Sequence, residues 1–152
     1  MSEEEKAKPS ILISLIRVGV LLGGMAVLAY VFVIRPNMIE MQFKSKRSEL
    51  PVNLKAIQTT MQAYKDMDGK YISVKPYPKK VGTEPQVWIE AESGNFQKIG
   101  YAPFSQVYGS YWVEVTETDF TAYGISDIDG DGVYATYVAT SKENPKPLNS
   151  AY

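Results

Sequence analysis

"ELPVNLKAIQTTMQAYKDMDG" (Glu49–Gly69) decides the fold of this chain. Leu50, Leu54, Ile57, Met61 and Tyr64 recur at spacings of four, three, four and three. On a helix of about 3.6 residues per turn those positions form one apolar stripe, the signature of a face packed on a core. Asp68-Gly69 ends the pattern with a helix stop and turn. A helix with a single apolar face must lie across another layer, so the rest of the chain has to supply one.

Upstream, "RPNMIEMQFKSKR" (35–47) is rich in helix formers, and one helix is expected over 35 to about 66. Pro36 and Pro51 each lack an amide donor, so bends are expected near both. Further upstream, Arg17 is the only charge between Ile11 and Ile34, and Val18 to Ile34 is uninterrupted apolar or small sequence. A bilayer-spanning helix needs roughly 20 such residues, which makes residues 11–34 a transmembrane segment. A cleaved signal peptide is the competing reading. It fits less well: the leader SEEEKAKPS is acidic on balance, and the apolar run exceeds the usual about 7 to 15 residues. The run also ends in Tyr30-Val31-Phe32-Val33-Ile34-Arg35 with no Ala-x-Ala pattern. A retained anchor behind a short charged tail, residues 1–10, is therefore expected. Flanking charge is a weak guide to topology: Lys6, Lys8 and Arg17 face Arg35, Lys44, Lys46 and Arg47, which mildly favours a cytoplasmic C-terminal part. The latter four residues suit anionic headgroups at a membrane surface, or are simply a solvated helix face.

Downstream, residues 75–85 are rich in Pro, Lys and Gly and read as loop, and "QVWIEA" (86–91) reads as a short strand. Three stronger strands follow: "SYWVEVTE" (110–117), "FTAYGI" (120–125) and "VYATYVAT" (133–140). Alternation puts Trp112, Glu114 and Thr116 on one face and Tyr111, Val113 and Val115 on the other. Consecutive strands with short connections make an antiparallel meander. The polar tail 142–152 reads as loose. The expected architecture is α+β: a long N-terminal helix whose outer half packs across the small antiparallel sheet of a globular domain, residues 67–141.

The 152 residues suffice for one ordinary domain and include no histidine and no cysteine. The commonest general base, thiolate metal sites and disulfide staples are thereby excluded. No enzymatic activity, catalytic residue, nucleic-acid partner or small-molecule substrate is expected, and no cofactor is required.

"DIDGDG" (127–132) is the one stretch that looks like ion chemistry. Asp127, Asp129, Asp131 and Gly132 match the first half of an EF-hand loop, but the closing acid position falls on Val138 in a strand, with no flanking helix. That motif is excluded. Two readings remain: a looser calcium site using Asp127, Asp129 and Asp131 with backbone carbonyls and Ser126, or a hairpin connection in which Asp and Gly supply turn geometry. A catalytic carboxylate pair needs a sheltered cleft, and a polar loop is solvated.

Taken together, "IRPNMIEMQFKSKRSELPVNLKAIQTTMQAYKDMDGKY" is similar to the long first helix of type IV pilins of Gram-negative bacteria. In that family a proline follows the apolar segment, then come a Lys/Ser-rich stretch, an "NLKAI" block and an aromatic before a Gly-x-Tyr turn. "FQKIGYAP", "YWVEV" and "FTAYGISDIDGDGVYATYVA" follow the order of the pilin sheet, so the resemblance covers about 35–141. It implies a periplasmic C-terminal domain, a cytoplasmic N-terminus and a single-pass inner-membrane anchor, against the charge count. It also implies interaction with calcium as a family option, since related pseudopilins use that ion in C-terminal loops. The apolar segment departs from the family. Counting back from Pro36, the mature start would fall near Leu15 after Ser14, with the conserved-pattern glutamate near Gly19; glycine, phenylalanine and glutamate are all missing there. An uncleaved anchor is expected.

Gly19 and Gly23 form a G-x-x-x-G pair beside Gly24 and Ala26, a face that lets another membrane helix approach closely, or incidental small residues in a lone span. Tyr101, Phe104, Tyr108, Tyr111 and Trp112 either fill the core under the helix or leave an aromatic contact surface. The function implied is structural: an anchored pilin-like subunit docking on other membrane-protein subunits or on copies of itself. The alternatives are a filament-forming type IV pilin or minor pilin with unusual processing, and a calcium-binding periplasmic interaction module.

Overall fold

The computed structural model describes residues 11–149; the N-terminal tail 1–10 and the last residues of the 142–152 tail lie outside the described residues. The chain forms two compact units, one up to Gln42 and one from Phe43.

In the first unit, α1 (Ile11–Ala29) passes into a π-helical turn (Tyr30–Ile34) and then into the start of α2 (Arg35–Arg47). Arg35 N–H donates to Tyr30 O, five residues back. The wide turn lies immediately before Pro36, whose missing amide cannot complete an ordinary turn, and this is a recognised way for a helix to absorb a proline. The helix near the N-terminus is long and apolar enough to cross a membrane. Its described apolar side chains are exposed, with Val20 at 70%, Met25 at 67% and Phe32 at 72%.

The second unit is α+β, as the periodicities indicate. α3 (Glu49–Asp68) follows a single irregular residue, Ser48, and ends at Gly69, which adopts a left-handed φ of 79° and donates its N–H to Lys65 O at 2.8 Å. Pro51 falls in the first turn of α3, where a missing amide costs little, so the break lies just upstream of it. The remaining elements are β1 (Val74–Tyr77), a 3₁₀ turn (Glu90–Glu92), α4 (Asn95–Lys98), β2 (Ser110–Val115), β3 (Phe120–Ser126), β4 (Ala135–Thr140) and β5 (Lys146–Pro147). The strands form one antiparallel five-stranded sheet in sequential order, β1 to β5.

Leu50, Leu54, Ile57 and Met61 are all at most 1% exposed, and Tyr64 packs half-buried at the edge of the same cluster. They meet Tyr111, Val113, Phe120, Ala122 and Ala139 on the inner sheet face. The central strand β3 presents small residues where the helix crosses it. A Cβ on Gly124 would come within 3.1 Å of the Tyr111 ring and 3.3 Å of Leu50, so the glycine sets how closely helix and sheet approach. Two polar residues in the helix face are satisfied: Asn53 donates to Tyr111 Oη at 2.9 Å, and Gln58 donates to the carbonyls of Thr140 and Glu143 at 2.6 and 3.0 Å.

Three local expectations are corrected. Val74–Tyr77, overlapping the 75–85 stretch read as loop, is an edge strand; Pro76 is tolerated there because an edge has a free side, and the register shifts between Val74 and Tyr77. "QVWIEA" is not a strand. Only Gln86 forms a bridge, to Val107, and Trp88 turns inward onto Tyr77, Phe96 and Tyr101. The tail read as loose supplies β5, which pairs with β4 at Tyr137–Pro147 and Val138–Lys146.

Candidate functional sites in the aspartate loop and the apolar helix

The 127–132 loop joins β3 to β4, and its shape comes from its own side chains. Asp127, 9% exposed, accepts the N–H groups of Gly130 at 2.9 Å and Gly132 at 3.2 Å, one on each carboxylate oxygen. Asp131 accepts Val133 N–H at 2.7 Å. Gly130 and Gly132 hold left-handed φ values of 75° and 82°, which side chains rarely adopt. The Asp131–Val133 bond is an Asx turn, and the two Asp127 bonds draw the glycine backbone round that carboxylate.

The loop also brings three carboxylates together. Each of Asp127, Asp129 and Asp131 presents one carboxylate oxygen within 4.8 Å of the others'. Asp129 is the member with a charged partner: Arg47, from the last turn of α2, donates Nη2 to its Oδ2 at 2.5 Å. The second oxygen of Asp129 is buried and has no hydrogen-bond partner, as has the hydroxyl of the neighbouring Ser126. Calcium takes about six to eight oxygens, so three aspartates would supply part of a shell and backbone carbonyls the rest.

A second polar cluster forms at the start of α3, and nothing in the local sequence announces it. Glu49, first residue of α3, accepts Tyr111 Oη–H at 2.6 Å, Tyr108 N–H at 2.9 Å and Gly109 N–H at 3.3 Å. Burial, then the negative charge of Glu49, push the Tyr111 hydroxyl well above its usual range. The same two causes raise Tyr101, which is 3% exposed. Next to Glu49, Lys46 sits over the Tyr108 ring at 4.8 Å.

The aromatic residues divide. Tyr101 and Tyr111 are in the core, and Tyr108 lies partly covered under Lys46. Trp112 stacks on Tyr123 across strands at 4.9 Å on the outer sheet face, and Phe104 is fully exposed. In α1, a Cβ placed on Gly19, Gly23 or Gly24 would meet no atom within 4 Å, so that face and neighbouring Ala26 are open to approach.

No family model, no characterised protein and no solved structure matches this chain.

Proposed function

We propose that this protein is a non-enzymatic, pilin-like structural subunit. In this reading α1 anchors it in the inner membrane, with the N-terminus cytoplasmic, and the body is periplasmic and docks on a larger envelope complex such as a pilus, secretion apparatus or motor. One observation carries the reading. The body closes its own core under α3, while the apolar side chains of α1 remain exposed, a surface suited to lipid and to neighbouring membrane helices. The order of elements, a long helix followed by a sequential antiparallel meander, supports the pilin resemblance.

A filament-forming pilin is the competing reading, and the N-terminus separates the two. Intact-mass measurement of the protein purified from its native membrane is expected to show residues 1–10 retained; a new terminus near Leu15 overturns the accessory-subunit reading. Extraction in mild detergent followed by pull-down and mass spectrometry is expected to recover other membrane subunits. The calcium-binding module has one supporting observation, the spacing of the three aspartate oxygens.

A further inference from the structure

The loop's aspartates and the end of α2 belong to one arrangement. We propose that Arg47 is the built-in counter-cation of the aspartate loop. Its guanidinium takes the place a divalent ion would otherwise occupy, and so latches the start of the body's helical layer to the β3–β4 connection.

The charge balance of the loop leads there. Three carboxylates whose oxygens cluster within 4.8 Å repel one another. Asp127 and Asp131 are engaged by backbone amides, which fix their direction and bring no net charge. Among the described residues, the ion pair that brings a full positive charge to the cluster is Arg47–Asp129. The two side chains are 17% and 20% exposed, so water screens them only in part; the other ion pair described, Lys146–Glu143, is 55% and 57% exposed and local in sequence. Arg47 and Asp129 are separated by 82 positions, so their contact ties two distant parts of the body together. A planar guanidinium keeps its charge at every accessible pH and loses little freedom on binding a carboxylate. The second Asp129 oxygen is buried and has no hydrogen-bond partner, so it is an acceptor left over for a cation once Arg47 is removed.

This role of Arg47 holds whether or not the chain docks on an envelope complex. The test uses the full chain in mild detergent, with thermal unfolding followed by circular dichroism with and without millimolar calcium chloride, and sodium chloride of equal ionic strength as control. Wild type is expected to melt at the same temperature in both. Arg47→Ala is expected to melt roughly 5 °C lower and to regain most of that in calcium. Adding Asp129→Asn to Arg47→Ala is expected to abolish the calcium response. Arg47→Lys, which keeps a charge, is expected to remain insensitive to calcium. A calcium-dependent rise in wild type overturns the proposal, as does an unchanged melting temperature in Arg47→Ala, its failure to respond to calcium, or a response in Arg47→Lys as large as in Arg47→Ala.

Discussion

Tyr111→Phe removes one oxygen from the middle of the body and leaves the ring in place. The hydroxyl donates to Glu49 Oε1 at 2.6 Å and accepts from Asn53 Nδ2 at 2.9 Å. The first bond goes to a carboxylate, a class worth about 1.5–3 kcal/mol, and the second is an amide–hydroxyl bond of about 1 kcal/mol. Part of that loss is offset. Glu49 Oε1 still has Gly109 N–H at 3.3 Å and Asn53 at 3.4 Å, and the substitution also ends the burial of a polar hydroxyl. The expected net cost is about 2 kcal/mol, a little below the lower end of the sum because of that offset. For a body of this size that lowers the melting temperature by roughly 10 °C. Urea unfolding of the full chain in detergent should show the midpoint fall with an unchanged slope, since the buried surface stays the same. A loss smaller than about 0.5 kcal/mol would refute the reasoning, because it would mean that Asn53 and the Tyr108 and Gly109 amides satisfy Glu49 without the hydroxyl.

Three further outcomes follow from the same geometry. Stability should fall above about pH 10, because the folded state holds the raised Tyr111 and Tyr101 protons after the unfolded chain has released its own; the slope, up to about 1.4 kcal/mol per pH unit for each tyrosine, should be shallower in Tyr111→Phe when urea midpoints are compared across alkaline pH. Met61→Ala, at a fully buried position in the helix stripe, should cost about 2–5 kcal/mol in the same unfolding assay. Gly109→Ala should destabilise by about 1–3 kcal/mol, since its Cβ would sit 2.7 Å from Leu50 Cδ2 and 2.9 Å from the Ile125 carbonyl, and the backbone atom cannot give way as a flexible side chain can.

The parts of this fold that could be read from sequence are those in which one segment carries its own period. α3 repeats its apolar residues on one face for its whole length, and β2 alternates Tyr111 and Val113 inward with Trp112 and Glu114 outward. The parts that could not be read depend on a distant partner. Val74–Tyr77 is a strand because β2 offers a free edge, although its own Pro76 argues for loop. Val87 and Ile89 flank Trp88 in a pattern that suits a strand, yet the pull of Phe96 and Tyr101 on that indole bends the segment into the core instead. Lys146 and Pro147 have no strand character and pair only because β4 needs a neighbour.

The aspartate loop shows the same limit in its chemistry. Asp-x-Asp-Gly-Asp-Gly specifies a turn and an anionic cluster with the same residues, so the local sequence leaves both readings open. What separates them is which positive charge arrives, and that charge lies 82 positions away on a helix whose basic residues read equally well as a lipid-facing collar. In the fold the collar is divided. Lys46 goes to the Tyr108 ring and Arg47 to Asp129, while Lys44 remains exposed. Two of the three basic residues in the last turn of α2 thus make contacts within the body, and one of them, Arg47, brings its charge to the aspartate loop.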